Sequence, residues 1–326
     1  MKPEHPCPPA TDGEIAAINL ESARQRAWAR FDVETILDTE RLAAQFLGDL
    51  DALDRLDAFA SQLASVEDSP RAALAQAEVA STAHRFGDAR AQLARAARVG
   101  GPCEAIVRQA LAIDQACGVE LDAVLAARCR IAKASGRLED LVPLGALFAD
   151  LEHYAAADAV YRQAFYAYEG ISPFPPAWAC FQLGMLWGEL VPTPDPASAT
   201  LWYRRAIAYV PQYVKARIHL AEICAGDAEA LLVPALSSRD PEVRWRLADV
   251  LIAQGRFDEG ETHLDAARRG FEELLRRHLL AFADHAAEFY AGSGNDRQRA
   301  LELARANAAN RPTRRAVKQA HALAQF

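Results

Sequence analysis

A 34-residue period governs this chain. Ala89, Ala123 and Ala157 stand 34 and then another 34 residues apart. One spacing recurs around them, six times in 326 residues: a small residue, an apolar one four later, and usually a second small one three after that. Its fullest copies are Ala157–Tyr161–Ala164 and Ala199–Tyr203–Ala206–Pro211, and Leu141-x2-Leu144-Gly145-x2-Phe148 precedes the first. Steps of three and four are helical spacing, and 34 residues is the length of two antiparallel helices with their turns. Such a pair cannot bury its apolar face alone. The pairs must stack, and the stack shares one continuous core.

The period sets the frame along the chain. Units are expected at 70–103, 104–137, 138–171, 177–213, 214–238, 241–274 and 281–314, about seven in all. The unit at 177–213 carries a proline-bearing insert, Val191–Pro196, and the unit at 214–238 is truncated and irregular. Residues 14–68 are helical but lack the spacing, as a terminal cap would. A capping helix is expected over 313–326. The polar, proline-rich stretch 1–13 reads as a disordered N-terminus without the apolar core of a signal peptide.

Small residues have a packing role at these positions. Gly145, Gly184 and the alanines of the signature let paired helices approach closely. Tyr161 and Tyr203 are then expected to fill the gap to the next unit. Pro211 and Pro312 end helices and set the direction of the next.

Charge and cysteine usage narrow the setting. The net charge of −8 argues against general nucleic-acid binding. Residues 32–68 hold ten acidic and two basic side chains, while 297–318 hold seven basic ones and Glu302. These read as solvated helix faces, or as opposite ends able to associate head to tail. The six cysteines are widely spaced and fall mostly on apolar stripes, which fits a reduced, cytoplasmic protein. The uncharged stretch Gly170–Gly188 is broken by Pro173, Pro175 and Pro176, so no membrane span is expected.

The signature at 138–171 and 177–211, with weaker copies over 70–314, resembles the tetratricopeptide-repeat (TPR) family. The truncated unit, with Asp240-Pro241-Glu242-Val243-Arg244 after it, also looks like the related HEAT repeat. The TPR resemblance implies an all-α, right-handed α-α superhelix whose first helices line a concave groove for a peptide or partner protein. It implies no reaction and no cofactor. Groove positions carried over from the family include Arg108, Trp178, Phe181, Met185, Glu189, Lys215, Glu222, Glu242, Trp245, Asp249, His285 and Phe289. Eleven of the 26 aromatic residues fall between Phe165 and Tyr213, which marks Trp178, Phe181 and Met185 as anchors.

The usual catalytic signatures are missing, including H-E-x-x-H, a phosphate loop and G-x-S-x-G. Two pairs, His219-x-x-Glu222 and His285-x-x-Glu288, have metal-ligand spacing on helices. They lie in units that are not adjacent. They read as solvated or hydrogen-bonded helix residues, and no metal centre is assigned. The expectation is a non-catalytic scaffold or adaptor. The alternatives are a metal-binding enzyme or enzyme accessory with its site in the C-terminal half, and a peptide-responsive regulator.

Overall fold

The computed structural model describes residues 11–325, and among them every regular element is helical. Three helices come first: α1 (Asp12–Arg30), α2 (Val33–Leu47) and α3 (Ala52–Val66). Pairs follow in the 34-residue frame: α4 (Pro70–Thr82) with α5 (Phe86–Arg98), α6 (Cys103–Cys117) with α7 (Leu121–Ser135), and α8 (Leu138–Asp150) with α9 (Tyr154–Tyr166). Next is α10 (Phe174–Met185), which runs into a π-turn (Leu186–Leu190) before α11 (Pro196–Tyr209). The irregular unit has α12 (Val214–Ile223) and a five-residue α13 (Ala228–Leu232) between two 3-10 turns. The chain ends with α14 (Pro241–Ala253), α15 (Phe257–Ala291), α16 (Arg297–Asn310) and α17 (Arg314–Ala324). α15 is two helices joined at His278, whose φ of −139° and ψ of 55° are not helical.

The sequence writes these boundaries in capping residues. Ser69-Pro70, Asp195-Pro196 and Asp240-Pro241 each put a side-chain acceptor at the N-cap and proline at the first helical position. Thr11 and Glu14 form a capping box, so Thr11–Gly13 are ordered and the expected disorder over 1–13 is corrected there. The remainder of that expectation, residues 1–10, lies outside the described residues.

The period also appears in the backbone. His84, Gly118 and Glu152 lie in the turns of three successive pairs with φ of 56°, 69° and 63°. Each is 34 residues from the next, and each takes the left-handed conformation that reverses the chain between paired helices. Within pairs the glycines admit an aromatic ring. A Cβ on Gly145 would meet the Tyr161 ring at 2.6 Å, and one on Gly184 would meet Tyr203 at 2.4 Å. Both tyrosines are fully buried. The core is a succession of clusters along the stack, the largest centred on 138–216.

The stack coils back on itself, and its late turns touch its early ones. His84 Nδ1 lies 3.1 Å from the Leu280 carbonyl, and Asn310 donates to the His84 carbonyl at 2.9 Å. Gly118 abuts Thr313, and Arg314 faces Glu152 at 3.8 Å. The same equivalent turn positions thus receive the returning C-terminal helices. On the other side the N-terminal helices bridge the gap. Arg277 pairs with Asp51 and Asp54, His278 Nε2 sits 2.8 Å from Asp54, and Arg239 N donates to the Gly48 carbonyl at 2.9 Å. The acidic run 32–68 and the basic run 297–318 both find partners within the chain, Arg277, Arg85 and Arg55 for the first and Asp284, Glu152 and Glu288 for the second.

Candidate functional site

The first helices of the later pairs, α10, α12, α14 and the second half of α15, are linked by a connected set of polar side chains, which we call the inner wall. Trp178 and Phe181 project one helical turn apart from α10, both half-buried. With Lys215 of α12, and Ala44, Gln45 and Gly48 of α2 and the turn after it, they line a recess of about 210 Å³. Phe181 also contacts Tyr203, Tyr213 and the His219 ring, so the anchor is held rigidly from below. Met185, a turn further on, packs beside Tyr203 and Leu220.

A charged network continues along the wall. Lys215 Nζ lies 2.6 Å from Glu242 and 3.0 Å from Asp240, both carboxylates being buried. Burial alone would favour the neutral amine, but these two carboxylates outweigh it and raise its pKa. Glu242 also meets His285 Nδ1 at 3.3 Å and Arg246 at 3.4 Å. Against its own burial, Lys215 and His285 hold its carboxyl well below the usual range. Arg246 spans to Glu222 at 2.6 Å and lies over the Trp245 ring at 3.7 Å. Glu222 in turn reaches His219 Nδ1 at 3.2 Å, and Glu189 reaches the same nitrogen at 2.7 Å. Burial works to lower the His219 pKa, yet the two carboxylates win and raise it to about 9. Burial raises the carboxyls of Asp150 and Glu288, and the charge of Arg315 on α17 works against that rise; at Glu189, His219 and then Arg315 outweigh burial and lower the carboxyl.

The structure sorts the residues nominated from the sequence. It brings together Trp178, Phe181 and Lys215 in the recess, and Lys215, Glu222 and His285 in the charged network with Glu242. Arg108 lies elsewhere, paired with Glu104 and with the buried Asp140 of the next unit. Trp245 is corrected from groove to core. It is 3% exposed, packs against Phe271 and Phe289, and donates its Nε1 to Ser293. Phe289 is fully buried in the same cluster. Asp249 accepts from Ser293 Oγ at 2.6 Å, tying α14 to the turn after α15.

The two His-x-x-Glu pairs do not meet. His219 and Glu222 are joined by Glu189, while Glu288 turns to Arg315 at 3.6 Å. Sequence reasoning overlooked Arg246, Asp240 and Arg315. Arg246 had a signal, since it stands four residues after Glu242 on the same helix face. Arg315 had none, because only the coiling of the stack brings α17 to this wall.

No family model and no curated protein matches the chain. Among solved structures it is similar to the C-terminal part of a TPR repeat-containing protein from Cytophaga hutchinsonii, at 11% identity over 88% of this chain and 97% of that one, with a TM-score of 0.35. It is also similar to yeast Tom70, at 14% identity over 92% and 77% with a TM-score of 0.34. The third is the apo form of RapI, at 15% identity over 94% and 99% with a TM-score of 0.35. At such scores these likenesses carry no functional weight. By its own helix pairs and 34-residue frame, the chain has a TPR-like helical-repeat fold.

Proposed function

We propose that this chain is a non-catalytic interaction scaffold that holds a peptide or a segment of a partner protein against the inner wall around Trp178. The observation that carries this reading is the recess itself: two half-buried aromatic rings beside a lysine held between buried carboxylates. Aromatic anchors next to a fixed charge are the usual composition of a binding hot spot. Glu189, Glu222 and Lys215 supply polar discrimination along the wall. The TPR resemblance of 138–211 supports the same use of the first helices. The five described cysteines are unpaired thiols, which fits a reducing compartment such as the cytoplasm. The net charge of −8 speaks against nucleic acid as the partner. No helix among the described residues is long and apolar enough to cross a membrane.

Affinity capture from native lysate, run in parallel with wild-type protein and Trp178→Ala, tests the reading. The variant is expected to retain a cooperative melt and to lose about ten-fold or more in capture of its partner. Equal capture would remove the recess from the interface, and a collapsed melt would return Trp178 to the core. A second reading, a peptide-responsive regulator, is favoured by the bridging of the coil by α1–α3, since a ligand that altered the coil would displace those helices.

A further inference from the structure

Three side chains converge where α10 ends and α12 passes beside it. Glu189 comes from the π-turn, and His219 and Glu222 come from neighbouring positions on one face of α12. Each offers one ligand atom, and the three atoms all lie within 4.8 Å of one another. We propose that Glu189, His219 and Glu222 hold a divalent transition-metal ion, zinc by its ligand chemistry.

Geometry comes first. A zinc ion sits about 2 Å from imidazole nitrogen and carboxylate oxygen, which places neighbouring ligand atoms about 3.3 Å apart in a tetrahedron. Here His219 Nδ1 is 2.7 Å from Glu189 Oε1 and 3.2 Å from Glu222 Oε2. Neither oxygen lies in line with the ring N–H, and the buried Nδ1 has no aligned hydrogen-bond partner. A metal ion entering here would replace the Nδ1 proton and spread the 2.7 Å pair toward about 3.3 Å.

An independent observation points the same way. Tyr203 is completely buried, yet its hydroxyl has no hydrogen-bond partner. Its ring stacks on His219 at 5.8 Å and 14°, and the hydroxyl lies 3.7 Å from where a Cβ on Gly188 would stand, next to Glu189. Buried hydroxyls are almost always satisfied. One imidazole and two carboxylates leave a fourth zinc position open, and a water held there would satisfy Tyr203.

The surroundings suit a fixed site. Phe181 and Tyr203, in contact with each other, both pack against the His219 ring. Arg246 engages the second oxygen of Glu222 at 2.6 Å, which orients the carboxylate through its outer shell. The π-turn gives Glu189 its reach, and such turns concentrate at functional sites. Glu242 is not a ligand, because Lys215, Arg246 and His285 already occupy it.

Equilibrium dialysis of the full chain against zinc, after chelation and desalting, tests the site. Cys7 and the exposed Cys103 and Cys129 are first replaced as Cys7→Ser, Cys103→Ser and Cys129→Ser, so that their thiols do not bind the ion. One equivalent per chain is expected. Glu189→Gln and His219→Gln should each weaken it by about ten-fold or more, with an unchanged far-ultraviolet spectrum. Glu189 is exposed, so its variant is expected to fold. Glu288→Gln should leave binding intact. Cobalt in the same site should show visible d–d bands without a thiolate charge-transfer band. No bound zinc, or zinc retained in both Glu189→Gln and His219→Gln, overturns the proposal.

Discussion

Gly184 of α10 faces the Tyr203 ring of α11. A Cβ there would sit 2.4 Å from the Tyr203 ring, which is fully buried and has nowhere to retreat. Gly184→Ala is therefore expected to destabilise the fold by about 1–3 kcal/mol through overpacking. Gly87→Ala, with nothing within 4 Å of the added Cβ, should be neutral or slightly stabilising. Denaturant melts of the two variants check the contrast. Asp150 offers a test by pH. Burial pushes its carboxyl up to about 6 despite the pull of Arg315 and Arg311. The folded state therefore holds that proton more tightly than the unfolded chain, where aspartate titrates near about 3.9. The unfavourable contribution is complete above pH 6 or so and vanishes below about pH 4, so this group favours folding more as pH falls through about 6. Solvent reaches Asp150 on the inner wall, which damps the energy. Asp150→Asn should raise the melting temperature modestly near neutral pH and not near about pH 4. In wild-type protein, carboxylate NMR should show Arg315→Ala moving the Asp150 midpoint upward.

Helices α1, α2 and α3 are pinned by one buried carboxylate. Glu40 of α2 is 0% exposed and accepts from Trp28 Nε1 of α1 at 2.7 Å and from Arg55 of α3 at 2.7 Å. Removing it leaves the Trp28 indole N–H without its acceptor and Arg55 with Asp49 alone. Glu40→Ala is expected to cost about 2–3 kcal/mol, with amide exchange accelerating in 12–66 before the rest of the chain. Nothing in the sequence singled out Glu40, since it stood as one of ten acidic residues in a run. The helix pairs, by contrast, were legible. Their signature is local, although Tyr161 and Tyr203, expected to fill the gap to the next unit, seat their rings on Gly145 and Gly184 of their own pair. The recess was half legible, because Trp178 and Phe181 share one helix face while Gln45 and Gly48 arrive from outside the array. Trp245 shows where a positional frame fails. The frame gives the direction of a side chain from an ideal helix, but the indole of Trp245 packs edge-on against the stacked rings of Phe271 and Phe289 and under Arg246. Glu189 shows another limit, since the π-turn that carries it has no separate sequence signal.

The whole molecule is a coil whose turns are tied to each other. Arg277 with Asp51 and Asp54, and Asn310 with His84, join residues more than 200 positions apart. Cutting one tie at the bridge, with Arg277→Ala and Asp54→Ala together, is expected to loosen the coil without melting its helix pairs. Small-angle scattering should then show a larger radius of gyration at an unchanged far-ultraviolet helical signal. An unchanged radius would place the closure in the α1–α3 packing alone. The tie has a kinetic corollary for anything bound within. A long segment enters either end first through a mouth of the coil or sideways across the seam, and sideways passage waits for the seam to part. Threading gives an observed association rate that climbs in proportion to ligand concentration. Gated passage gives one that levels off at the opening rate, and the Arg277 and Asp54 substitutions would lift that plateau.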